Sequence, residues 1–533
     1  MKKMVFTLLI AVVAFASAGA QNRSNNDARK LQMALYAITN LYVDPTDEGK
    51  LVEDAITGML EKLDPHSNYM DPEETKEMTE PLQGNFDGIG IQFNMLTDTL
   101  YVIQVIPGGP SEKVGMIAGD RIIQVNDSVI AGVKMKTTDI MKRLRGPKGT
   151  EVSVKVKRGR SPELLEFKIT RGKIPVYSLD AAYMIDKTTG YIKLNRFAAS
   201  TAEEFREAFS KLQKKGMKNL VLDLQGNGGG YLNIAIDLAD EFLDKGKLIV
   251  YTEGSKQPRE EAVATAKGGF EQGRLVVLVD EASASASEIV AGAIQDWDRG
   301  VIVGRRTFGK GLVQKPIPLP DGSMIRLTVS RYYTPNGRSI QKPYESGNME
   351  SYQHELIDRY NRGELISADS IHFPDSMKYN TLTTNRIVYG GGGIMPDVFI
   401  PIDTTRYTDY HRKLASNGII NRATMNYVDQ HRSEITSNYN TFEKYKQGFQ
   451  VSDAFLQELI DLGTAEDITF NEEQYLTSKP LITLQLKALV ARDVYDMNEY
   501  FQIINDENDS LKEALRIINN AQAYNKELGI TTN

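Results

Sequence analysis

Three serines stand between an apolar run and a segment with one apolar helical face. Ser283, Ser285 and Ser287 alternate with alanines before Glu288, and the apolar run Arg274–Val279 precedes them. A serine at the start of a helix lies where unpaired backbone N–H groups stabilise negative charge, as a nucleophile that generates an oxyanion requires. Serines are also common helix caps. From this string alone, both a nucleophile and a structural cap stay open.

A nucleophilic serine needs a general base, and this sequence favours a lysine. None of the five histidines stands in a motif with a neighbouring acid, although a triad could still assemble from distant residues. Lys310 stands between two glycines after the apolar run Val301–Gly304. A buried lysine has a lowered pKa and can accept a proton, and Gln314 could hydrogen-bond its amine without adding charge. The competing interpretation of Lys310 is an exposed loop lysine.

A glycine-rich loop follows the apolar strand that the sequence predicts at Asn219–Leu224. The loop reads Gln-Gly-Asn-Gly-Gly-Gly from Gln225 to Gly230, and its backbone N–H groups could bind an anion. It lacks the lysine and hydroxyl residue of a phosphate loop and the spacing of a dinucleotide fingerprint. We therefore interpret it as an oxyanion loop and disfavour nucleotide binding.

Apolar strands that alternate with helices must position these residues. Over residues 173–403 this alternation predicts an α/β core with a mostly parallel sheet. Within the core, Ser200 and Glu203 predict a capping box at the start of a helix. Because the carboxyl ends of parallel strands meet at one edge of a sheet, we expect the glycine loop, Ser285 and Lys310 on the same face.

The regions around this core differ from it in pattern. Short apolar runs separated by glycine and proline predict a β-rich domain over residues 84–172. Residues 21–83 and 404–533 are typical of helices, and Ser478–Pro480 predicts a helix start. Residues 341–387 are polar and weakly patterned, which is typical of a surface insertion.

The composition excludes several classes of protein and site. The chain has 533 residues, of which 41% are hydrophobic and 25% charged, as in an ordinary globular protein. A net charge of −7 does not indicate a nucleic-acid partner, which would need a basic face. The absence of cysteine excludes disulfides, thiolate metal sites, iron–sulfur clusters and cysteine nucleophiles.

The N-terminal segment predicts export. Two lysines precede an apolar run, and the string Ala18-Gly19-Ala20 fits the small-residue rule for cleavage after Ala20. Residues 1–20 are therefore interpreted as a signal peptide, and the protein as exported to the periplasm or cell envelope. The alternative is an uncut membrane anchor, for which the apolar run is short.

Taken together, these strings resemble the C-terminal processing peptidases, also called tail-specific proteases. The shared strings have the same order and spacing, and they are Leu63–Met70, Gly190–Ile192, Leu222–Gln225, Ser283–Glu288, Thr307–Gly311 and Gly393–Asp397. The family has a serine–lysine pair with the lysine twenty-five residues after the serine, which selects Ser285 and Lys310. The resemblance also implies that Gln314 orients the lysine.

The same mapping implies the remaining parts of the site. The backbone N–H groups of Gly230 and Ala286 would form the oxyanion hole, and Asp296 would be structural. No metal or cofactor is implied. Gln225 replaces an arginine that is common in the family, which bears on the packing of the glycine loop but not on its backbone donors.

The β-rich block resembles a PDZ domain inserted ahead of the catalytic core. Gly88, Ile89, Gly90 and Ile91 match its carboxylate-binding loop, and residues 115–122 match a second common PDZ string. Such domains add a peptide strand to a sheet edge and bind the terminal carboxylate with backbone N–H groups. A purely structural β domain is the alternative.

The resemblance implies an exported serine endopeptidase that recognises protein C-terminal tails and cleaves near them. Its partners would be proteins or peptides with free C-termini, with no nucleic acid, and a homodimer could form through the helical regions. The rival hypotheses are a non-catalytic PDZ-type peptide-binding protein of the cell envelope and a structural envelope protein. The implied domains are signal peptide 1–20, helical region 21–83, PDZ domain 84–172, peptidase core 173–403 with insertion 341–387, and helical region 404–533.

Overall fold

The structure, a computed structural model, describes residues 26–530 except Thr97 and Arg160. The predicted signal peptide at 1–20 lies outside the described residues. The chain divides into two compact units. The first unit contains the described part of Met1–Thr75 together with Gln314–Thr328 and Tyr344–Gln353. The second contains the remaining described residues.

The first unit is mainly helical. Helix α1 covers residues 26–41, and α2 (Glu48–Leu60) begins after Asp47, whose side chain accepts a hydrogen bond from the Lys50 N–H. Strand β1 (Asn68–Met70) pairs antiparallel with residues 324–326. The chain then continues into α3 (Pro72–Gln83). The helical character predicted for this region is therefore interrupted by one short strand.

The second unit begins with the β-rich domain. Its elements are β2 (Asn85–Gly88), β3 (Ile91–Met95), β4 (Leu100–Val105), α4 (Pro110–Lys113), β5 (Arg121–Val125), β6 (Ser128–Val129), α5 (Thr137–Leu144), β7 (Glu151–Lys157), β8 (Leu164–Thr170) and β9 (Gly172–Pro175). The sheet order is β3-β4-β5-β7-β8, so β3 is an edge strand. Strands β2 and β9 pair antiparallel, which joins the two ends of the domain.

A six-stranded sheet forms the centre of the second unit. The elements up to its last strand are β10 (Leu179–Met184), β11 (Thr189–Leu194), α6 (Thr201–Lys214), β12 (Asn219–Asp223), α7 (Leu232–Asp240), β13 (Leu248–Gly254), β14 (Gln257–Val263), β15 (Leu275–Val279), α8 (Ala286–Asp296), β16 (Val301–Gly304), β17 (Leu312–Pro318), β18 (Met324–Tyr333), α9 (Met349–Asn361), β19 (Lys378–Asn380), β20 (Ile387–Tyr389) and β21 (Val398–Phe399). Of these, β17, β18 and α9 each have some of their residues in the first unit. The sheet order is β10-β11-β12-β15-β16-β21. Every neighbouring pair is parallel except β10 with β11. The predicted α/β core is confirmed.

Both faces of this sheet are covered, which explains why its central strands are continuously apolar. One face packs against α6, α7 and α8 through side chains such as Phe205, Leu238 and Ile289. The other packs against C-terminal side chains that include Leu511 and Ile517. The end of the chain therefore completes the hydrophobic core of the peptidase sheet.

The C-terminal region is helical, as predicted. Its helices are α10 (Asp409–Ser416), α11 (Ile419–Asn438), α12 (Phe442–Gly448), α13 (Asp453–Ala465), α14 (Glu472–Val494), α15 (Met497–Ile504), α16 (Asp509–Ile518) and α17 (Ala521–Glu527). No helix among residues 26–530 is long and apolar enough to cross a membrane.

One predicted helix start and one predicted capping box are wrong. Helix α14 begins at Glu472, where Asn471 caps it, and Pro480 lies inside the helix rather than at its first turn. At α6, the Ser200 hydroxyl donates to the Glu204 carboxylate at 2.6 Å, so the capping box with Glu203 does not form. At α14 the cap is Asn471 rather than Ser478, and at α6 the Ser200 hydroxyl contacts Glu204 rather than Glu203.

The insertion is more than a surface segment. Residues 341–387 contain α9 and the strand β19, which pairs antiparallel with β20. Several of the side chains that follow residue 341 are buried, among them Lys342, Arg359 and Glu364. A polar segment with buried cations requires ion-pair partners, and these partners lie beside the candidate active site.

Candidate active site

Ser285 stands immediately before α8 in a strained backbone conformation. Its φ is +54° and its ψ is −111°, a region that a non-glycine residue occupies at a cost of about 1–3 kcal/mol. The Ser285 N–H donates to the Glu288 carboxylate at 2.8 Å, and the Ser285 carbonyl accepts from the Glu288 and Ile289 N–H groups. These bonds hold the turn, and Ser285 itself remains partly exposed.

The two neighbouring serines are buried and bonded to the main chain. The Ser283 hydroxyl donates to the Leu224 carbonyl at 2.8 Å, and the Ser287 hydroxyl donates to the Asn227 carbonyl at 2.8 Å. Both serines have no exposed surface. Burial and bonding therefore give Ser283 and Ser287 structural roles and leave Ser285 as the accessible hydroxyl of the string.

The glycine loop lies against the nucleophile turn. A Cβ on Gly229 would lie 2.8 Å from the Ser285 Cβ and 3.0 Å from the Ala286 nitrogen, and a Cβ on Gly230 would lie 2.1 Å from the Phe197 carbonyl oxygen. Their φ values are +100° and +154°. Only glycine fits both positions. Ala286 is the first residue of α8, whose N–H has no partner within the helix, and the glycine loop lies beside it.

Glu288 joins the nucleophile turn to the lysine loop. One carboxylate oxygen accepts the N–H groups of Ser285 at 2.8 Å and Lys310 at 2.9 Å. The other accepts the Gly309 N–H at 2.8 Å and the Thr307 hydroxyl at 2.5 Å. Burial raises the pKa of Glu288 to about 7, although all four hydrogen bonds oppose the rise. No role for Glu288 follows from the motifs alone, although its position three residues after Ser285 is the signal of a capping box.

Further contacts fix the main chain around Lys310. The Tyr332 hydroxyl lies 2.5 Å from the Lys310 carbonyl oxygen and 3.2 Å from that of Ser285. The Phe308 N–H donates to the Ser283 carbonyl at 3.0 Å. Lys310 is partly buried. The structure therefore places the main chains of the predicted nucleophile and the predicted base close together, as expected if both lie at the same edge of the sheet.

Gln314 lies in the first unit, where its amide donates to the Thr328 hydroxyl at 3.3 Å. That hydroxyl donates to the Asp64 carboxylate at 2.9 Å. Asp64 also accepts the N–H groups of His66 at 2.8 Å and Ser67 at 3.0 Å. The string Leu63–Met70 thus holds the threonine that binds Gln314.

Asp296 has the structural environment that the sequence analysis expected. It is fully buried and pairs with Arg338 at 2.8 Å, and both side chains have no exposed surface. Burial raises the pKa of Asp296, and the charge of Arg338 opposes the rise. It also accepts the Asn336 N–H at 3.1 Å. Asp296 therefore anchors the segment that follows β18.

The predicted carboxylate loop lies at the start of the edge strand β3. Gly88 ends β2, and the Ile89 carbonyl accepts both the N–H and the hydroxyl of Ser111, at 2.9 and 2.7 Å. Gly90 has φ +79°, and a Cβ there would lie 3.2 Å from Pro110 Cδ. Ile91 then opens β3. This loop leads directly into a strand that can accept a peptide at its open edge.

Comparison with known proteins identifies the family. The model of peptidase family S41 matches residues 188–347, and the PDZ domain model matches residues 88–169. The N-terminal domain of the activating protease CtpB matches residues 11–75, and a family of unknown function matches residues 410–496. The carboxy-terminal-processing protease of Bartonella bacilliformis is 40% identical over 305 residues, which are 56% of this chain and 69% of the relative. The chain belongs to peptidase family S41.

Two further relatives and one solved structure are similar to this chain. The carboxy-terminal processing protease CtpB of Bacillus subtilis is 36% identical over 61% of this chain and 68% of the relative. The carboxy-terminal processing protease CtpA of the same organism is 36% identical over 64% of this chain and 75% of the relative. A solved structure of the photosystem II D1 C-terminal processing protease is 30% identical over 58% of this chain, with a TM-score of 0.33.

This S41 protein is a serine-type peptidase with a PDZ domain. The predicted family and the predicted PDZ domain are confirmed. The roles predicted for Ser285, Lys310, Gln314, Gly230 and Ala286 stay predictions, which the geometry supports.

Proposed function

We propose that this S41 peptidase is an exported endopeptidase that recognises protein C-terminal tails and cleaves near them by a serine–lysine mechanism. The observation that carries the proposal is the single Glu288 oxygen that accepts the N–H groups of both Ser285 and Lys310. A nucleophile and a base on separate loops need such a common anchor to react in a fixed geometry.

The mechanism uses groups of this chain alone. The neutral Lys310 amine takes the proton of the Ser285 hydroxyl as its oxygen attacks the scissile carbonyl. The N–H groups of Gly230 and Ala286 stabilise the oxyanion of the tetrahedral intermediate. The Lys310 ammonium then protonates the leaving amine, and an acyl-enzyme ester forms on Ser285. Lys310 next deprotonates a water molecule that attacks this ester, and its ammonium then returns the proton to the Ser285 oxygen as the acid is released.

Gln314 is proposed to orient the Lys310 amine. An amide adds no charge, so it can hydrogen-bond the amine without favouring its protonated form. The bond from Gln314 to Thr328, backed by Asp64, supports a fixed amide orientation. A carboxylate in the place of Gln314 would instead favour a protonated lysine.

The PDZ domain is proposed to select the substrate. The edge position of β3 and the loop Gly88–Ile91 support the capture of an extended peptide by its terminal carboxylate. The names of the relatives from Bartonella and Bacillus support processing at carboxyl termini.

Export and dimerisation complete the proposal. The lysines and the Ala18-Gly19-Ala20 string support cleavage after Ala20 and a periplasmic or envelope location.

Exposed apolar side chains on and after α1, which include Leu41 and Val43, support a homodimer through the N-terminal helical region. Light scattering tests the dimer: aspartate at both positions should yield a monomer, and an unchanged mass would contradict it.

Peptide cleavage tests the activity. The substrate is a fluorogenic peptide with an apolar C-terminal residue and a free carboxylate, and the control is the same peptide amidated. We expect Ser285→Ala and Lys310→Ala each to lose about 10³-fold or more in kcat while calorimetry shows unchanged binding of the tail. A non-catalytic peptide-binding protein would instead bind the tail without cleavage in the unmutated chain.

A further inference from the structure

Arg359 of the insertion reaches the loop that carries Lys310. It lies in the second half of α9, and its side chain is only 1% exposed. Its Nη1 donates to the Thr307 carbonyl at 2.8 Å and its Nη2 donates to the Phe308 carbonyl at 3.0 Å. The planar guanidinium thus bonds two consecutive carbonyls of the lysine loop as a fork, a geometry that fixes direction as well as distance.

The charge of Arg359 is balanced within the insertion. Its Nε donates to Glu355 at 2.6 Å, and Lys342 pairs with the same carboxylate at 3.1 Å. The Arg359 and Lys342 charges lower the pKa of Glu355, although burial alone would raise it. Arg306 pairs with Glu364 nearby. This paired network keeps the Arg359 guanidinium charged in the interior.

Lys342 adds a second contact to the same loop. Its N–H donates to the Gly309 carbonyl at 2.9 Å, and its ammonium lies 4.1 Å from the centre of the Phe308 ring. The carbonyls of Thr307, Phe308 and Gly309 are therefore all bound from the side of the insertion. Glu288 binds the other polar groups of this segment, since its carboxylate accepts the N–H groups of Gly309 and Lys310.

These contacts hold the backbone from which the Lys310 side chain extends. The orientation of a side chain follows from the backbone that carries it, and a displacement of about 1 Å at a reacting group can cost about 10²-fold in rate. If Glu288 were the only anchor, just the N–H groups would be held, and the peptide planes could still tilt about them. The Arg359 fork binds the carbonyls of the same segment and removes this freedom.

We propose that Arg359 is a positioning residue for Lys310, so that the insertion belongs to the catalytic apparatus of this peptidase. The match to the S41 family model ends at residue 347 and does not include Arg359. The inference rests on the proposed serine–lysine mechanism. The proposal gives a role in catalysis to a segment whose polar pattern predicts a surface insertion.

The variant Arg359→Lys tests the proposal. Lysine keeps the charge and can still pair with Glu355, but it lacks the fork that bonds two carbonyls. We expect kcat for the tail peptide to fall about 10-fold or more with KM within about two-fold of the unmutated enzyme.

Arg362→Lys is the matched control. Arg362 follows α9 by one residue, is 51% exposed and pairs with two carboxylates of the insertion, Glu364 at 2.7 Å and Glu355 at 3.8 Å, and a lysine there can keep both pairs. We expect this variant to keep the kcat and KM of the unmutated enzyme. Active-site titration with a fluorophosphonate normalises all rates to the folded enzyme, so partial unfolding of either variant does not enter the comparison.

Three outcomes overturn the proposal or its foundation separately. A normalised kcat of Arg359→Lys equal to that of the unmutated enzyme would refute positioning. A lower kcat with a KM raised by a similar factor would show a general disturbance of the fold only, and would refute it as well. Full activity of Lys310→Ala would refute the serine–lysine mechanism itself, whatever Arg359→Lys does.

Discussion

The Lys310 N–H donates to the Glu288 carboxylate at 2.9 Å, so the loop of the proposed base is anchored to the helix that begins at the proposed nucleophile. The same oxygen accepts the Ser285 N–H, which places both loops on one acceptor. Because Glu288 is fully buried, its four hydrogen bonds are not exchanged with water. This carboxylate is therefore the structural centre of the candidate site.

Replacement of Glu288 with glutamine should impair catalysis. The amide that replaces one oxygen is a donor and would face N–H or O–H donors, so one side of the anchor is lost. We expect kcat/KM for the tail peptide to fall about 10²-fold. Glu281→Gln is the control, since Glu281 is a partly exposed carboxylate near the same turn that pairs with Arg305. Equal rates of the Glu288 variant and the control would contradict this role.

Glu288 should also make the stability of the protein depend on pH. Its pKa is raised from 4.5 to about 7 in the folded protein, so the folded state binds this proton more tightly than the unfolded state. Its contribution to the free energy of unfolding is therefore full below about pH 4.5 and decreases by about 3 kcal/mol as the pH rises to about 7. Urea unfolding at several pH values tests this. Glu288→Gln should lack this component, and parallel profiles of the two proteins would contradict the expectation.

Gly230→Ala should disable the oxyanion loop. An added Cβ would lie 2.1 Å from the Phe197 carbonyl oxygen, so the loop must shift. We expect a loss of about 10²–10³-fold in kcat, as for the loss of one oxyanion donor. Gly228→Ala is the control, because no atom lies within 4 Å of its Cβ position. Activity of Gly230→Ala equal to that of the control would exclude a close fit of this loop.

Thr328→Val should affect catalysis through Gln314. The substitution removes the hydroxyl that accepts the Gln314 amide and donates to Asp64, and it leaves that buried carboxylate without one donor. We expect kcat to fall about 10-fold, which corresponds to about 1.4 kcal/mol, with KM unchanged. Thr328→Ser retains the hydroxyl and should retain most of the rate. Equal rates for valine and serine variants would exclude the hydroxyl from this role.

Gly90→Val should weaken the capture of tails. The residue has φ +79°, and a side chain there would meet Ile174 and Pro110 at 3.1 and 3.2 Å. We expect KM for the free-carboxylate peptide to rise about 10-fold and KM for the amidated peptide to change little. Calorimetry of the same peptides measures binding directly. An equal loss for both peptides would contradict carboxylate recognition by this loop.

The catalytic strings could be predicted because they are local. Ser285 and the glycine loop lie where apolar strands end, and Lys310 follows another such strand, so the topology of a parallel sheet brings them to one edge. The serine among three could be chosen only through the family spacing. The structure adds a physical reason for that choice, which is the burial of Ser283 and Ser287.

Arg359 could not be predicted, because the sequence around it has no distinguishing pattern. Arg359 and Arg362 are three residues apart in the same polar segment, yet one is 1% exposed and the other 51%. Only the tertiary fold returns α9 to Thr307, 52 residues earlier in the chain. The predicted start of α14 differs from the observed start for another reason. Proline is typical of a first helical turn, but Pro480 lies inside the helix.

The most direct test of the central claim is mass spectrometry of the protein after reaction with a fluorophosphonate. We expect a single adduct on Ser285, formed at a rate that rises with pH, since only the neutral amine of a lysine accepts a proton. In Lys310→Ala the rate should be at least about 10³-fold lower. An adduct on another residue, or an unchanged rate without Lys310, would contradict the assignment of Ser285 and Lys310 as nucleophile and base.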